Sequence, residues 1–298
     1  MKIEELQVSA PWGEIAIKLW GEKEDPPILV IHGVMDNVGS FDRLISMLPK
    51  HYYYIGIDLP GHGKSSHWGG SRLINSLDNL LVYKIVADYF DRKKYMILAH
   101  SWGGQLGFFF AQIYPEYVTK LIMLDTIYLY PTSTRYLKEH IRNAHDQYFD
   151  ITRKFKTRKA PEYTYEEALD KLMHSRRYNV ISQEAAEPLL KRIAIPLENG
   201  KIRLSVDQSL KNFFNPVFDF RYLSDFIKKH PVLCPVLIVL STESDGQNIY
   251  FKRIINQLKS YKNIKIKLVA GNHDVHNENP ERIAPLVTEF LLRENSKL

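Results

Sequence analysis

The segment Met96-Ile97-Leu98-Ala99-His100-Ser101-Trp102-Gly103-Gly104 constrains this chain more than any other. An apolar run ends at a serine. Small residues lie two before it (Ala99) and two after it (Gly103), and Gln105-Leu106-Gly107-Phe108-Phe109-Phe110-Ala111-Gln112 then reads as a buried helix. A strand that turns into a helix through a single residue strains that residue and crowds its neighbours, so the flanking positions must be small. Ala99 stands where glycine is usual, which the geometry can bear because alanine is the next smallest residue. The turn lifts the serine hydroxyl out of the sheet, beside the positive end of a helix, where an attacking oxygen is useful. By itself the pattern also fits a serine in an ordinary strand–helix turn, so the rest of the chain decides.

The rest of the chain supplies the sheet that such a turn needs. Ile15 to Trp20 alternates and predicts a strand after the Pro11-Trp12-Gly13 turn. Ile28 to Ile31, Tyr52 to Asp58, Ile97-Leu98, Leu121 to Asp125, Val236 to Leu240 and Ile264 to Val269 predict further strands. Most are short and continuously apolar, as strands buried on both faces are. Helical patterns fall between several of them, at Ser76 to Phe90 and Ile249 to Leu258, and Glu281 to Leu292 closes the chain. Strands alternating with helices predict an α/β class with a mostly parallel sheet covered on both faces.

One interval breaks the rhythm. From about Ile127 to His230 no buried-strand run occurs, and the region is polar, aromatic and basic. Thr164-Tyr165-Glu166-Glu167 has capping-box spacing and opens a helix from Tyr165 to Met173. Ser182 to Lys191 predicts another, interrupted by Pro188, and Asn199-Gly200 marks a turn before Lys201-Ile202-Arg203-Leu204. About a hundred residues is too long for a plain crossover. The expected organisation is therefore a core of residues 1–126 and 231–298 carrying a largely helical cap insertion of residues 127–230.

The 298 residues suit one large domain with such an insertion, and 45% hydrophobic residues can bury its core. The single cysteine, Cys234, excludes an intramolecular disulfide, is compatible with a reducing compartment, and is expected to pack at a strand entrance. The N-terminus lacks the apolar stretch of a signal peptide and no apolar run is long enough to span a membrane. A formal charge of +6 weakly favours anionic partners, but no nucleic-acid-binding motif accompanies it. The run Arg153-Lys154-Phe155-Lys156-Thr157-Arg158-Lys159 reads either as a solvated face or loop, or as a contact for an anionic group such as phosphate. The terminal Ser296-Lys297-Leu298 has the form of an address read by the peroxisomal import receptor, and the polar residues before it should leave it exposed.

A nucleophilic serine needs a base, and the base an orienting acid. Two segments supply candidates. Ile31-His32-Gly33-Val34-Met35-Asp36-Asn37 ends an early strand. There Gly33 permits a tight turn that would set the Val34 amide beside the Trp102 amide, the two donors of an oxyanion hole. His32, Gly33 and His100 are expected around the substrate pocket, with His32 more suited to supporting its loop than to acting as base. Val269-Ala270-Gly271-Asn272-His273-Asp274-Val275-His276 follows the last strand, and His273 and His276 compete for the role of base.

These landmarks together resemble the α/β-hydrolase superfamily over essentially the whole chain. They run in its order: His32-Gly33, Asp58-Leu59-Pro60-Gly61-His62-Gly63-Lys64-Ser65, the Ser101 turn, and Gly271-Asn272-His273 seven residues before Pro280. In that family the Pro seven residues on marks the base, which implies His273. Asn272 is an intrusion, since the family pairs Gly and His directly. More narrowly, Val8 to Gly13, His32 to Asn37 with Ser40 to Ile45, and Gly271 to His276 resemble the serine hydrolase-like proteins, including the kraken-type members of insects. That subgroup is associated with peroxisomes, in agreement with the terminal tripeptide. The family's commonest acid position, after the strand Val236 to Leu240, falls on Ser244 here, with Glu243 one residue early and Asp245 one late. A second family position is occupied by Asp125, 24 residues beyond Ser101. A carboxylate ending a buried strand wants a donor, and an imidazole N–H is one, although local backbone amides would also serve. Asp125 is preferred, then Asp245, then Glu243. The Asp58 to Gly63 turn, His62 included, is expected to be structural.

The resemblance implies a serine hydrolase of carboxylic esters or thioesters, working through an acyl-Ser101 with no metal or organic cofactor. The aromatic cap suits a partly apolar acyl group. A peroxisomal acyl-CoA thioesterase is one alternative. Lyases, cofactor-free oxygenases and ligand receptors share the fold and form another.

Overall fold

In the computed structural model, residues 1–69, 75–157, 159–174, 176, 180–212 and 218–293 are described, without the side chains of residues 212 and 245–247. The terminal Ser296-Lys297-Leu298 lies outside them. The strands are β1 (Ile3–Ala10), β2 (Gly13–Trp20), β3 (Pro27–Ile31), β4 (Tyr53–Ile57), β5 (Tyr95–His100), β6 (Val118–Leu124), β7 (Ala194–Pro196), β8 (Ile202–Leu204), β9 (Val236–Ser241) and β10 (Ile264–Val269). Eight of them form one sheet in the order β1-β2-β4-β3-β5-β6-β9-β10. The β1–β2 and β2–β4 pairs are antiparallel, and every pair from β4 to β10 is parallel. This is the α/β-hydrolase arrangement.

The continuous apolar runs are explained by two hydrophobic clusters, one on each face of the sheet. Leu29 and Ile31 of β3 enter one cluster and Ile28 and Val30 the other; Ile97 and Ala99 of β5 divide from Met96 and Leu98 in the same way. Alternate side chains point to opposite faces, so a strand covered on both sides must be apolar throughout. The sheet order reverses about β3, whose neighbours are β4 on one side and β5 on the other. Ligands of open α/β sheets bind beyond the strand ends at such a switch point.

The helices are α1 (Asp42–Met47), α2 (Leu80–Tyr89), α3 (Ser101–Ile113), α4 (Leu137–Thr157), α5 (Tyr165–His174), α6 (Gln183–Ile193), α7 (Phe220–Lys229), α8 (Asp245–Tyr250), α9 (Lys252–Leu258), α10 (Val275–Glu278) and α11 (Pro280–Leu292). Among the described residues, none is long and apolar enough to cross a membrane. Between β6 and β9 lie α4 to α7 and the small β7–β8 hairpin, which joins no strand of the large sheet. The hairpin turns at Gly200, where φ is +76°.

Three elements differ from the sequence expectations. β1 pairs along its whole length with β2, although it is largely exposed and so carries little apolar signal. α6 runs unbroken through Pro188. Proline removes one backbone donor from a helix, but Ser182 caps α6 and its Ala185, Ala186, Leu189, Leu190 and Ile193 face are all buried. α4 was not expected, although Leu137, Ile141, Ala144, Tyr148 and Ile151 recur at helical spacing within a polar, charged stretch; Ala144 is its one buried residue. The first five residues of the basic run, Arg153 to Thr157, end α4, where Lys154 and Lys156 suit the negative pole of a helix, and Arg158 lies outside the described residues.

α6 is bolted to the core by buried polar contacts. Its Arg192 donates from Nε to Asp58 Oδ2 at 2.8 Å and from Nη1 to Glu5 at 2.7 Å. Asn37 donates to the Leu189 carbonyl, and Asn277 to that of Ala185. Gly39 permits this approach, since a Cβ there would come 2.6 Å from the Pro188 oxygen. Cys234 is buried and free, and burial pushes its thiol up to about 12.

Arg192 and Asp58 have side chains only 4% and 0% exposed. Removing one member of a buried pair strands the other charge, at a cost of about 3–5 kcal/mol. Arg192→Ala is therefore expected to lose stability of that order in urea unfolding. Glu5→Ala, which deletes the exposed partner, should cost less than about 1 kcal/mol.

Candidate active site

Strand register brings the site together. His100 pairs with Leu124 and Ile31 with Ala99, so Ser101, Asp125 and the His32-Gly33 turn leave the sheet side by side at its carboxyl edge. Ser101 opens α3 with φ +49°, the left-handed conformation that the sharp turn demands. Gly103 is required beneath it, because a Cβ would come 2.6 Å from the His32 oxygen and 2.8 Å from that of Ile31. Tyr83 donates its hydroxyl to the Gly103 carbonyl at 2.7 Å and fastens the first turn of α3.

His273 reaches Ser101 Oγ from Nε2 at 2.9 Å. Its Nδ1 lies 2.6 Å from Asp125 Oδ2. Asp125 is 1% exposed and has φ +46°. Its Oδ1 accepts from the Ser241 amide at 2.6 Å, and its Oδ2 also accepts from the Ser244 hydroxyl at 2.6 Å. Of the candidate carboxylates whose side chains are described, Asp125 and Glu243, Asp125 is the one brought to the imidazole. Glu243 is exposed and uses its amide to bond the Gly271 carbonyl. Asp245 begins α8, and its side chain lies outside the described residues. His276, the rival base, is fully buried in α10 and stacks on His100 at 3.9 Å.

The environment sets the charge states. Burial opposes protonation of His273, but the hydrogen bond and charge of Asp125, helped by Asp274, outweigh it and lift its pKa above the ordinary imidazole value. Burial would raise the Asp125 carboxyl, but the same bond, the His273 charge and the Ser244 and Ser241 donors hold it below the ordinary value. A carboxylate beside a potential imidazolium is what this coupling favours.

His32 and His100 do not line an open pocket as expected. His32 is wholly buried, with Nδ1 donating to the Gly33 oxygen at 2.7 Å and Nε2 accepting from the Leu59 amide at 3.0 Å. It braces its loop. His100 donates from Nε2 to the His273 carbonyl at 2.9 Å and so steadies the base from below. Burial keeps both neutral, against the pull of Asp58 on His32. Gly33 lies between them and the serine, where a Cβ would meet His100 Nδ1 and Ser101 Cβ, each at 3.1 Å. His62 accepts from the Met35 amide at 3.0 Å and holds the Val34 turn, in keeping with a structural role. The Trp102 amide belongs to the first turn of α3, whose N–H groups have no partner within a helix.

Two contributors were missed in the sequence. Ser244 donates to the carboxylate from the position where the family's usual acid would stand, and that coincidence was its one signal. Arg176, between α5 and α6, bonds Asp274 at 2.5 Å and Asp36 at 3.3 Å. One guanidinium thus ties the loop of the base and the loop of Val34 to the intervening segment. Asp36, His100 and His276 bring ligating atoms within 4.8 Å of one another. The two imidazoles stack at 3.9 Å, and Arg176 reaches Asp36 at 3.3 Å.

Comparison with known proteins bears on family and fold. Residues 26–163 match the family model of the alpha/beta hydrolase fold. The chain is 31% identical to human serine hydrolase-like protein 2, over 97% of this chain and 94% of that one. A hypothetical protein of Pseudomonas aeruginosa PAO1 superimposes with a TM-score of 0.83 at 25% identity, covering 97% of this chain and all of that one. The thioesterase domain from the curacin biosynthetic pathway superimposes with a TM-score of 0.77 at 21% identity, over 96% of this chain and 99% of that domain, a likeness of fold.

Asp125→Asn removes the main influence that raises the His273 pKa and leaves the burial that lowers it. NMR titration should show the His273 resonance moving at a pH above the ordinary value of about 6.5 in the native protein and below it in the variant. An unchanged titration would mean that Asp125 does not govern the imidazole.

Proposed function

The chain belongs to the serine hydrolase-like family of α/β hydrolases, and from that premise we propose that it hydrolyses carboxylic esters or thioesters through an acyl-Ser101 intermediate. The observation that carries this reading is the unbroken relay Ser101 Oγ···Nε2 His273 Nδ1···Oδ2 Asp125, with spacings of 2.9 and 2.6 Å. Ser101 Oγ attacks the acyl carbon while His273 Nε2 takes its proton. The Val34 and Trp102 amides receive the developing oxyanion, a contribution of about 3 kcal/mol for each such donor. The tetrahedral adduct collapses, and His273 returns the proton to the departing alcohol or thiol. Water then attacks the acyl-enzyme with the same imidazole as base, and Ser101 leaves with its proton restored. Asp125 holds the tautomer with Nδ1–H and balances the imidazolium.

A thioester of coenzyme A is a second reading. It is supported by the basic end of α4, by the terminal Ser296-Lys297-Leu298 and by the thioesterase fold likeness. Replacing Lys154, Lys156 and Lys159 with Gln should raise KM for acyl-CoA and leave small neutral esters unaffected; an equal effect on both would remove the idea. The same tail supports a peroxisomal site of action, so deleting those three residues should leave the protein cytosolic on fractionation.

The main reading is tested with a fluorophosphonate probe and p-nitrophenyl esters. Ser101→Ala should abolish labelling and turnover, and Asp125→Asn should lower kcat by roughly 10³–10⁴-fold. The base must be neutral to accept the proton. Its raised pKa therefore puts the acid limb of kcat/KM above the ordinary imidazole value, with activity lost as pH falls through it. A correctly folded native protein that takes no label would point instead to a receptor or a non-hydrolytic enzyme.

A further inference from the structure

A cavity of about 770 Å³ lies between α4, the segment leading into α5, the β7–β8 hairpin and the loop at Trp68. None of Ser101, Asp125, His273, Val34 or Trp102 lines it. Its size falls in the range of small-molecule sites, and its walls have their usual character, apolar and aromatic with a few polar groups. Phe155 of α4, Tyr163 and Leu204 supply the apolar surface. Lys156, Lys171 and Arg203 supply three cations.

Lys156 and Lys171 are exposed, and Arg203 is half-buried. Among lining carboxylates, Asp207 faces His67 at 3.7 Å. Lys171 Nζ lies 5.6 Å from the Tyr163 ring. Arg203, whose side chain is 43% exposed, reaches Glu162 from Nη2 at 3.4 Å, and its Nε–H is buried with no hydrogen-bond partner among the described residues. A buried donor without an acceptor is costly, and a guanidinium edge fits a carboxylate. A neutral apolar ligand would leave that donor unanswered, and one carboxylate satisfies it.

We infer that this cavity binds an amphipathic monoanion, a fatty carboxylate, with its chain along Phe155, Tyr163 and Leu204 and its head at Lys171 and Arg203. The site is separate from the Ser101 relay, so its occupancy stands whether or not the hydrolase reading does.

The test is calorimetric titration with dodecanoate and with dodecanol, both below their micellar concentrations. The Ser101→Ala protein is used so that nothing is turned over. Dodecanoate should bind with one-to-one stoichiometry and dodecanol roughly tenfold or more weakly. Adding Lys171→Gln and Arg203→Gln should weaken dodecanoate by about tenfold or more, as expected for lost hydrogen bonds to a charged group, and leave dodecanol unchanged. Circular dichroism and Tm verify folding. If the double variant does not fold, raised ionic strength applied to the unsubstituted cavity should weaken dodecanoate and spare dodecanol. No binding of dodecanoate, equal binding of the alcohol, or binding indifferent to both the substitutions and salt would overturn the proposal.

Discussion

The left-handed backbone at Ser101 is the constraint on which the rest of the site depends. A non-glycine residue held at positive φ costs of order 1–3 kcal/mol and persists only where its surroundings over-determine it. Here β5 is paired on both sides, by β3 and β6, and α3 is buried almost throughout. The chain must pass from strand to helix within one residue, and only a glycine at 103 fits under the carbonyls of Ile31 and His32. Relaxing the serine would mean unpairing the centre of the sheet or lifting α3 from it.

The same centre explains why the acid can come from β6. The parallel register brings the end of β6 level with the end of β5, so Asp125 and Ser101 emerge as neighbours. His273 descends from the β10 end and bonds both. In relatives with the acid after the ninth strand a carboxylate would stand at 244; here Ser244 stands there and donates to Asp125. The site is thus closed from two strands, with the charge moved to one and a hydrogen-bond donor left at the other.

Around this relay lies a second tier of buried charge. Arg192 joins α6 to Asp58 beneath the Val34 loop, and Arg176 joins Asp36 to Asp274. Each guanidinium spans segments far apart in sequence. Both come from the segment between β6 and β9, which therefore holds the core loops. His32, His62 and His100 complete the tier, each with a ring nitrogen bonded to a loop backbone atom.

Much of this was legible beforehand. The central strands announced themselves because two-sided burial requires unbroken apolar runs. The serine turn announced itself because its sterics require small neighbours at fixed offsets. β1 was not legible, since an exposed strand carries almost no apolar signal, whereas α4 does carry a helical period at Leu137, Ile141, Ala144, Tyr148 and Ile151 within a polar, charged stretch. The choice among Asp125, Asp245 and Glu243 was ordered by spacing and the cost of burial, but proximity to the imidazole depends on strand register. Arg176 could not be read at all and Ser244 only from its place at the family's usual acid position, because nothing local marks a residue whose partners lie across the fold. The sequence by itself determined the layered sheet, the strained serine and the set of groups able to serve it, because backbone sterics and burial act over a few neighbouring residues. Only the tertiary structure decided which carboxylate meets the base and which arginines hold the loops, because hydrogen bonds and ion pairs are settled by distance in space.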